Sequence, residues 1–217
     1  MTNKQIIEVI QTDINKTVKI LNSQKLLRDQ NPIVLSHSSG NVVDFSYKKH
    51  TSEENYLFDK NLCYFDLIDK LLETRNYSLL LYDKSIIQYE LKILNGEIIK
   101  EHFLFLKKHN KFWTVHDIEK ADSNDDDWFG DIIGIPIVFR IDYDPDNAEN
   151  INHPNIHFTL SNHELCRIPM KSIISIPEFI NFIMHNFYGI DLQIQNSLPM
   201  YAPLLTTDEK KMMHINW

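Results

Sequence analysis

Glycine is scarce in this chain, five in 217 residues, and with only eight prolines the composition excludes collagen-like and low-complexity architectures. No internal repeat at solenoid periods is present. Two cysteines, Cys63 and Cys166, stand far apart without a CxxC partner, which argues against a disulfide framework or a zinc knuckle and for two buried thiols. No apolar run approaches the length of a membrane span. The opening MTNKQIIEVIQTDINKTVKIL is amphipathic and interrupted by charge, without the apolar core and small-residue cleavage site of a secretion signal. A soluble, cytoplasmic protein without membrane contact is the expectation. Basic residues are outnumbered, giving a net charge of −8, so a broad grip on nucleic-acid phosphates is disfavoured. Contact with RNA or a nucleic-acid end has to be local or supplied through a protein partner. The phosphate-binding P-loop, the dinucleotide fingerprint and the nucleophile elbow are all missing.

What is present is a folding composition: 43% hydrophobic, 11% aromatic and 24% charged residues, enough for one α+β domain over residues 1–217. From Asn3 to about Leu27, Ile6, Ile7, Ile10, Ile14, Val18, Leu21 and Leu26 recur at helical steps. VVDFSY reads as a short strand, and Cys63 to Arg75 as a second helix with Phe65, Leu67, Ile68, Leu71 and Leu72 inward. A helical part of about 1–75 thus precedes a sheet. After Tyr77 the period falls to two: YSLLLY, SIIQYELKIL and EIIKEHFLFLKK are strands, the last two joined by Asn95-Gly96, which suits a tight hairpin. Further strands follow near 136–143 and 156–161, with ELCRIP closing a hairpin. In SIPEFINFIMHNFYG, Ser175 and Glu178 form a capping box, Pro177 suits the first turn and Gly189 the exit. This helix, about 176–188, should turn Phe179, Phe182, Ile183 and Phe187 to the core. An extended tail, 191–217, has a possible last turn near DEKKMM. The fold class is therefore an antiparallel β-sheet with N-terminal helices and a C-terminal helix packed on one face.

Three histidines and an arginine crowd HPNIHFTLSNHELCRIP. Alternation in a strand sets Arg140, Asp142 and Asp144 on one side of VFRIDYD, and His157, Thr159 and Ser161 on one side of NIHFTLS. If the two strands pair, Arg140, Asp142 and His157 meet on one face. A three-residue loop of Ser161, Asn162 and His163 sets Arg167 opposite His157; a two-residue loop moves it beside Phe158, since a one-residue slip exchanges faces. Both loops remain open.

Such a face fits phosphodiester chemistry without metal or other cofactor. His157 would exchange protons, Arg140 or Arg167 would neutralise phosphoryl oxygens, and His153 or His163 would be a second proton carrier. Two plainer readings stand beside it. Arg140 and Asp142 could be an ordinary ion pair on a solvated face, with His153 capping a turn. Alternatively His153, His157 and Asp142 could ligate zinc or manganese, although HxxxH suits a metal on a helix and Pro154 disfavours one here. The acidic loop from Asp122 to Asp131 lacks the glycine and glutamate of a calcium loop and reads as a solvated surface.

The run FRIDYDP, HPNIH, CRIP and PEFINFIMHNFY resembles a family of bacterial proteins of unknown function that carry HPxxH, an R-I-P step and an F-x-x-F-I…F-Y helix. That resemblance covers about the last ninety residues. FRIDYD…HPNIH is also similar to the ending of small TumE-like bacterial toxins, regarded as RNA-cleaving partners of an antitoxin; Arg140, Asp142, His153 and His157 match that pattern. This chain is much longer and adds the CRIP step and helix. The resemblances imply a metal-independent RNase or related phosphodiesterase, an effector of a toxin–antitoxin or anti-phage defence system restrained by its antitoxin. The alternative is a non-catalytic subunit of a multi-protein defence complex, using the same face to recognise a partner.

Overall fold

The computed structural model describes residues 1–47, 64–107, 137–160, 166–198 and 201–216. The acidic loop, Cys63 and the turn at Ser161–His163 lie outside the described residues. Helix α1, Asn3–Ser23, starts at a capping box between Thr2 and Gln5 and buries Ile6, Ile10, Ile14 and Leu21. It ends four residues before the Leu27 boundary expected from its period. Lys25 adopts a positive φ of 55°, and the chain then enters strand β1, Leu27–Gln30. Strands β2, Val34–His37, and β3, Val43–Ser46, form a small hairpin around a turn at Gly40. Helix α2, Tyr64–Glu73, buries Leu67, Ile68 and Leu71.

The long strands follow: β4, Leu79–Leu81, β5, Ile86–Leu94, β6, Glu97–Lys107, β7, Ile137–Tyr143, β8, Ile156–Leu160, and β9, Arg167–Pro169. All the described strand pairs are antiparallel, in the order β1-β4-β5-β6-β7-β8-β9, with β3 also pairing β5 and carrying β2. The expected meander is therefore present: β5, β6, β7 and β8 lie within one residue of their expected bounds, whereas β4 starts two residues into YSLLLY and β9 starts only at Arg167.

Asn95 and Gly96 both take positive φ, 54° and 78°, the backbone of a tight hairpin turn. No side chain fits at position 96, because a Cβ there would stand 1.8 Å from the Met1 carbonyl oxygen. Past this turn, Ile93 pairs Ile98 but Lys92 pairs Lys100, so Ile99 is an extra residue, a β-bulge.

Alternation gives the sheet two unlike faces. One carries Phe45, Tyr89, Leu91, Phe103, Phe105, Phe139, Ile141 and Phe158 and packs with α1 and helix α3, Ile176–Tyr188, in the main core. Phe139 is its hub, with ring centroids 5.1 Å from Phe158, 5.4 Å from Phe105 and 5.7 Å from Phe179. On α3 the fully buried residues include Phe179, Ile180, Ile183 and Met184, whereas Phe182 and Phe187, both expected inward, are only partly buried at the margin. Helix α2 lies against the other face, sharing a second cluster with Ile86, Leu104, Leu106 and Val138. Beyond β9, Met170 bridges to Ile215, and the tail has a 3-10 turn at Glu209–Lys211. No described helix is long and apolar enough to cross a membrane.

Candidate functional site

The second face holds the chemistry. Register sets His102, Asp142, His157 and Pro169 in one row across β6, β7, β8 and β9, and Leu104, Arg140, Thr159 and Arg167 in the next. Side chains opposite one another on one face are neighbours. The structure thus brings Arg140, Asp142 and His157 together, as strand parity requires. Asp142 Oδ2 lies 3.7 Å from Arg140 Nε and 3.7 Å from His157 Nε2. Its other oxygen, Oδ1, accepts from His102 Nδ1 at 2.6 Å.

One carboxylate therefore serves two imidazoles and a guanidinium. Burial by itself pushes the Asp142 carboxyl up, but the charge and hydrogen bond of His102, with the charges of Arg140 and His157, outweigh it and hold the group at about 2. The tautomers follow from the acceptors. His102 needs its proton on Nδ1 to donate to Asp142, leaving Nε2 without a partner among the described residues. His157 needs its proton on Nδ1 to donate to the Pro154 carbonyl at 3.1 Å, so in the neutral ring Nε2 is the basic nitrogen. Burial, with the nearby charges of His153 and Arg167, lowers the His157 imidazole below its ordinary 6.5 against the pull of Asp142.

Accessibility divides the two rings. His157 is buried, with 3% of its side chain exposed, while His102 keeps 25%. His153 stands beside His157, ring centroids 4.8 Å apart, with its Nδ1 buried and unpartnered. Its backbone bridges to Glu149. Arg167 faces Thr159 and not His157 or Phe158, so neither of the two loop registers is realised; the true register is shifted by two and one from them. The two-residue shift preserves parity, and Arg167 does share the polar face. Cys166 is partly buried, more open than the expected interior thiol. Among the described residues no group of three His, Cys, Asp or Glu side chains is arranged to hold a metal.

A model of an uncharacterized conserved protein family, DUF2290, matches residues 26–217. The chain belongs to the DUF2290 family. The DUF2290 match takes in every described strand together with α2 and α3, and α1 precedes it. No curated protein and no solved structure matches the chain.

Sequence reasoning missed His102 in this DUF2290 chain. EIIKEHFLFLKK reads as an apolar strand with one histidine, and parity from the hairpin alone turns that residue to the core. The bulge at Ile99 reverses it. Lys100 was missed for the same reason: its ammonium pairs with Asp144 at 2.7 Å, on the same face.

On the opposite face, the neighbouring Glu101 is 1% exposed, and neither of its carboxyl oxygens has a close hydrogen-bond partner among the described residues. Burial pushes this carboxyl well above its ordinary range, with the charges of Glu178 and Asp142 adding to the effect and the Ile174 amide opposing it. It borders a cavity of about 10 Å³ shared with Asp13 and Ser175, room for one water molecule. The buried Tyr201 hydroxyl, also without a partner among the described residues, is pushed up by burial, with the charges of Glu101 and Glu178 adding to the effect.

Proposed function

We propose that the polar sheet face is the active site of a metal-independent phosphodiesterase that cleaves RNA. The observation that carries the reading is the 2.6 Å contact from His102 Nδ1 to Asp142, whose second oxygen faces His157. A carboxylate that fixes one tautomer leaves the far nitrogen of the ring as the proton carrier. In this reading His102 Nε2 takes the proton from a ribose 2′-hydroxyl. The freed oxygen attacks phosphorus, the bond to the 5′-oxygen breaks, and an imidazolium returns a proton to the departing oxygen. Asp142 positions the ring and stabilises the imidazolium, and Arg140 adds positive charge beside them. His157, neutral and buried, is the reserve of basicity behind Asp142. The RNA-cleaving TumE-like toxins, which resemble this chain at Arg140, Asp142, His153 and His157, support an effector role in the cytoplasm under the restraint of an antitoxin or defence-complex partner.

The test is RNA cleavage by the purified protein freed of any partner. Cleavage should persist in EDTA and peak near neutral pH, where imidazole both gives and takes a proton. His102→Ala should lower the rate by roughly 10²–10⁴-fold with the melting profile retained. Activity lost in EDTA and restored by manganese or zinc would move the chemistry to a metal at His153, His157 and Asp142. A second reading is favoured by the burial of Arg140, 7% exposed, and His157, 2% exposed, which suits a rigid recognition surface. A wild-type protein that cleaves neither RNA nor DNA, but loses a protein partner on His102→Ala, would establish that binding role.

A further inference from the structure

The row beside the two imidazoles has an unexplained polarity. Thr159 is 0% exposed at the centre of β8, where valine would fill the same space and suit a strand equally well. Its hydroxyl has no hydrogen-bond partner among the described residues. A buried hydroxyl left unpaired is destabilising, so its presence calls for a partner that arrives from outside the fold. The register shows what surrounds it: Arg140 is opposite Thr159 on β7, and Arg167 is opposite it on β9. Two arginines thus flank one hydroxyl, their Cα atoms about 10 Å apart across two strand spacings.

The cations of this face differ in their pairing. Lys92 lies 3.6 Å from Asp44, Lys100 2.7 Å from Asp144, and Arg140 3.7 Å from Asp142. Arg167 has no carboxylate partner among the described residues; its one contact is a 3.5 Å approach of Nη1 to the Asn152 carbonyl. The partly exposed Arg167 therefore brings a charge that no described carboxylate pairs to the edge of the row. His153, whose ring lies 4.8 Å from that of His157, contributes a buried Nδ1 without a hydrogen-bond partner among the described residues.

We propose that Thr159, flanked by Arg140 and Arg167 in one cross-strand row, seats a phosphoryl group. The hydroxyl donates to one phosphoryl oxygen, and the planar fork of Arg167 engages the others. The occupant is the backbone phosphate of a nucleic acid, held one row from His102 and Asp142. This deepens the phosphodiesterase reading by locating the scissile phosphate and rests on that reading for its purpose.

Binding of inorganic phosphate, followed by calorimetry and by the amide resonances of β8, tests the seat without requiring turnover. Wild-type protein should bind phosphate. Thr159→Val and Arg167→Gln should each weaken it by about tenfold or more, the loss of a hydrogen bond to a charged group. Thr159→Ser, which keeps the hydroxyl, should bind within a few-fold of wild type and controls for packing. Absence of binding by the wild type, or equal binding by all four proteins, overturns the proposal. RNA cleavage by the same preparations is the separate readout. Phosphate bound at this row without cleavage keeps the seat and removes the reaction; cleavage with unchanged KM in both Thr159→Val and Arg167→Gln keeps the reaction and removes the seat.

Discussion

Asp142 and Glu101 are nearly adjacent in space, both carboxylic acids, and driven in opposite directions. Asp142, held by a hydrogen bond from His102 and facing Arg140 and His157, falls to about 2 from an ordinary 3.8, whereas Glu101 is raised by burial and by the nearby Glu178 and Asp142 carboxylates. Their contributions to stability against pH therefore have opposite signs. For Asp142 the stabilisation is complete above the ordinary carboxylate value and is lost as pH falls through about 2. That difference amounts to about 2 kcal/mol. In Asp142→Asn the acid limb of the denaturation curve should be shallower by about that amount between roughly pH 4 and pH 2. For Glu101 the stabilisation is complete below the ordinary range and disappears as pH climbs through the raised value. Glu101→Gln should consequently be more stable than wild type at the alkaline end and lose the wild-type decline there. Parallel curves for wild type and Glu101→Gln, measured by denaturant midpoint, would show that the Glu101 carboxyl titrates alike in the folded and unfolded chains and is not held up by burial. Arg140, Asp142 and His157 were legible as a group because strand parity needs only sequence. His102 was not, because its face depends on one extra residue several positions away.

Helix α3 was the most legible element. Ser175 accepts from the Glu178 amide at 3.3 Å, the Glu178 carboxylate accepts from the Ser175 amide at 2.6 Å, and Gly189 leaves the helix at a φ of 66°. Its bounds follow from those local signals. Its buried face was less legible, since a stripe of three phenylalanines does not say which ones reach the sheet. Phe179 lies 4.9 Å from Phe103 and is fully buried, while Phe182 meets Phe139 edge-on from the margin. Phe179→Ala should cost about 3–5 kcal/mol by chemical denaturation, and Phe182→Ala clearly less. Equal losses would mean that the helix is rotated about its axis. The far end of α3 has an anchor that no local signal reveals. The Tyr188 hydroxyl donates to Asp83 at 2.8 Å and lies 2.9 Å from Ser85, with the Lys107 ammonium 3.7 Å from its ring centroid. That cluster joins residues separated by more than a hundred positions in part, and only the closed fold assembles it.

Across the whole molecule, the β6 hairpin has a consequence for which side of the sheet is chemical. Were β6 to continue from its Asn95-Gly96 turn without interruption, Lys92 would face Ile99 and each later pair would follow suit. Glu101 would then enter the polar face, and His102 would be driven among Phe103's present neighbours. Ile99 acts as an inserted letter that restores the reading frame: beyond it Glu90 meets His102, and Leu91 meets Glu101. The two sides of the sheet are thus assigned by a spacing of one residue, with no change in the amino acids on either side. An acid and an imidazole next to each other in the chain are kept in separate compartments by a wall one backbone thick. Any relative that shortens or lengthens this hairpin by a single residue has either to compensate elsewhere in β6 or to exchange the chemistry of its two faces.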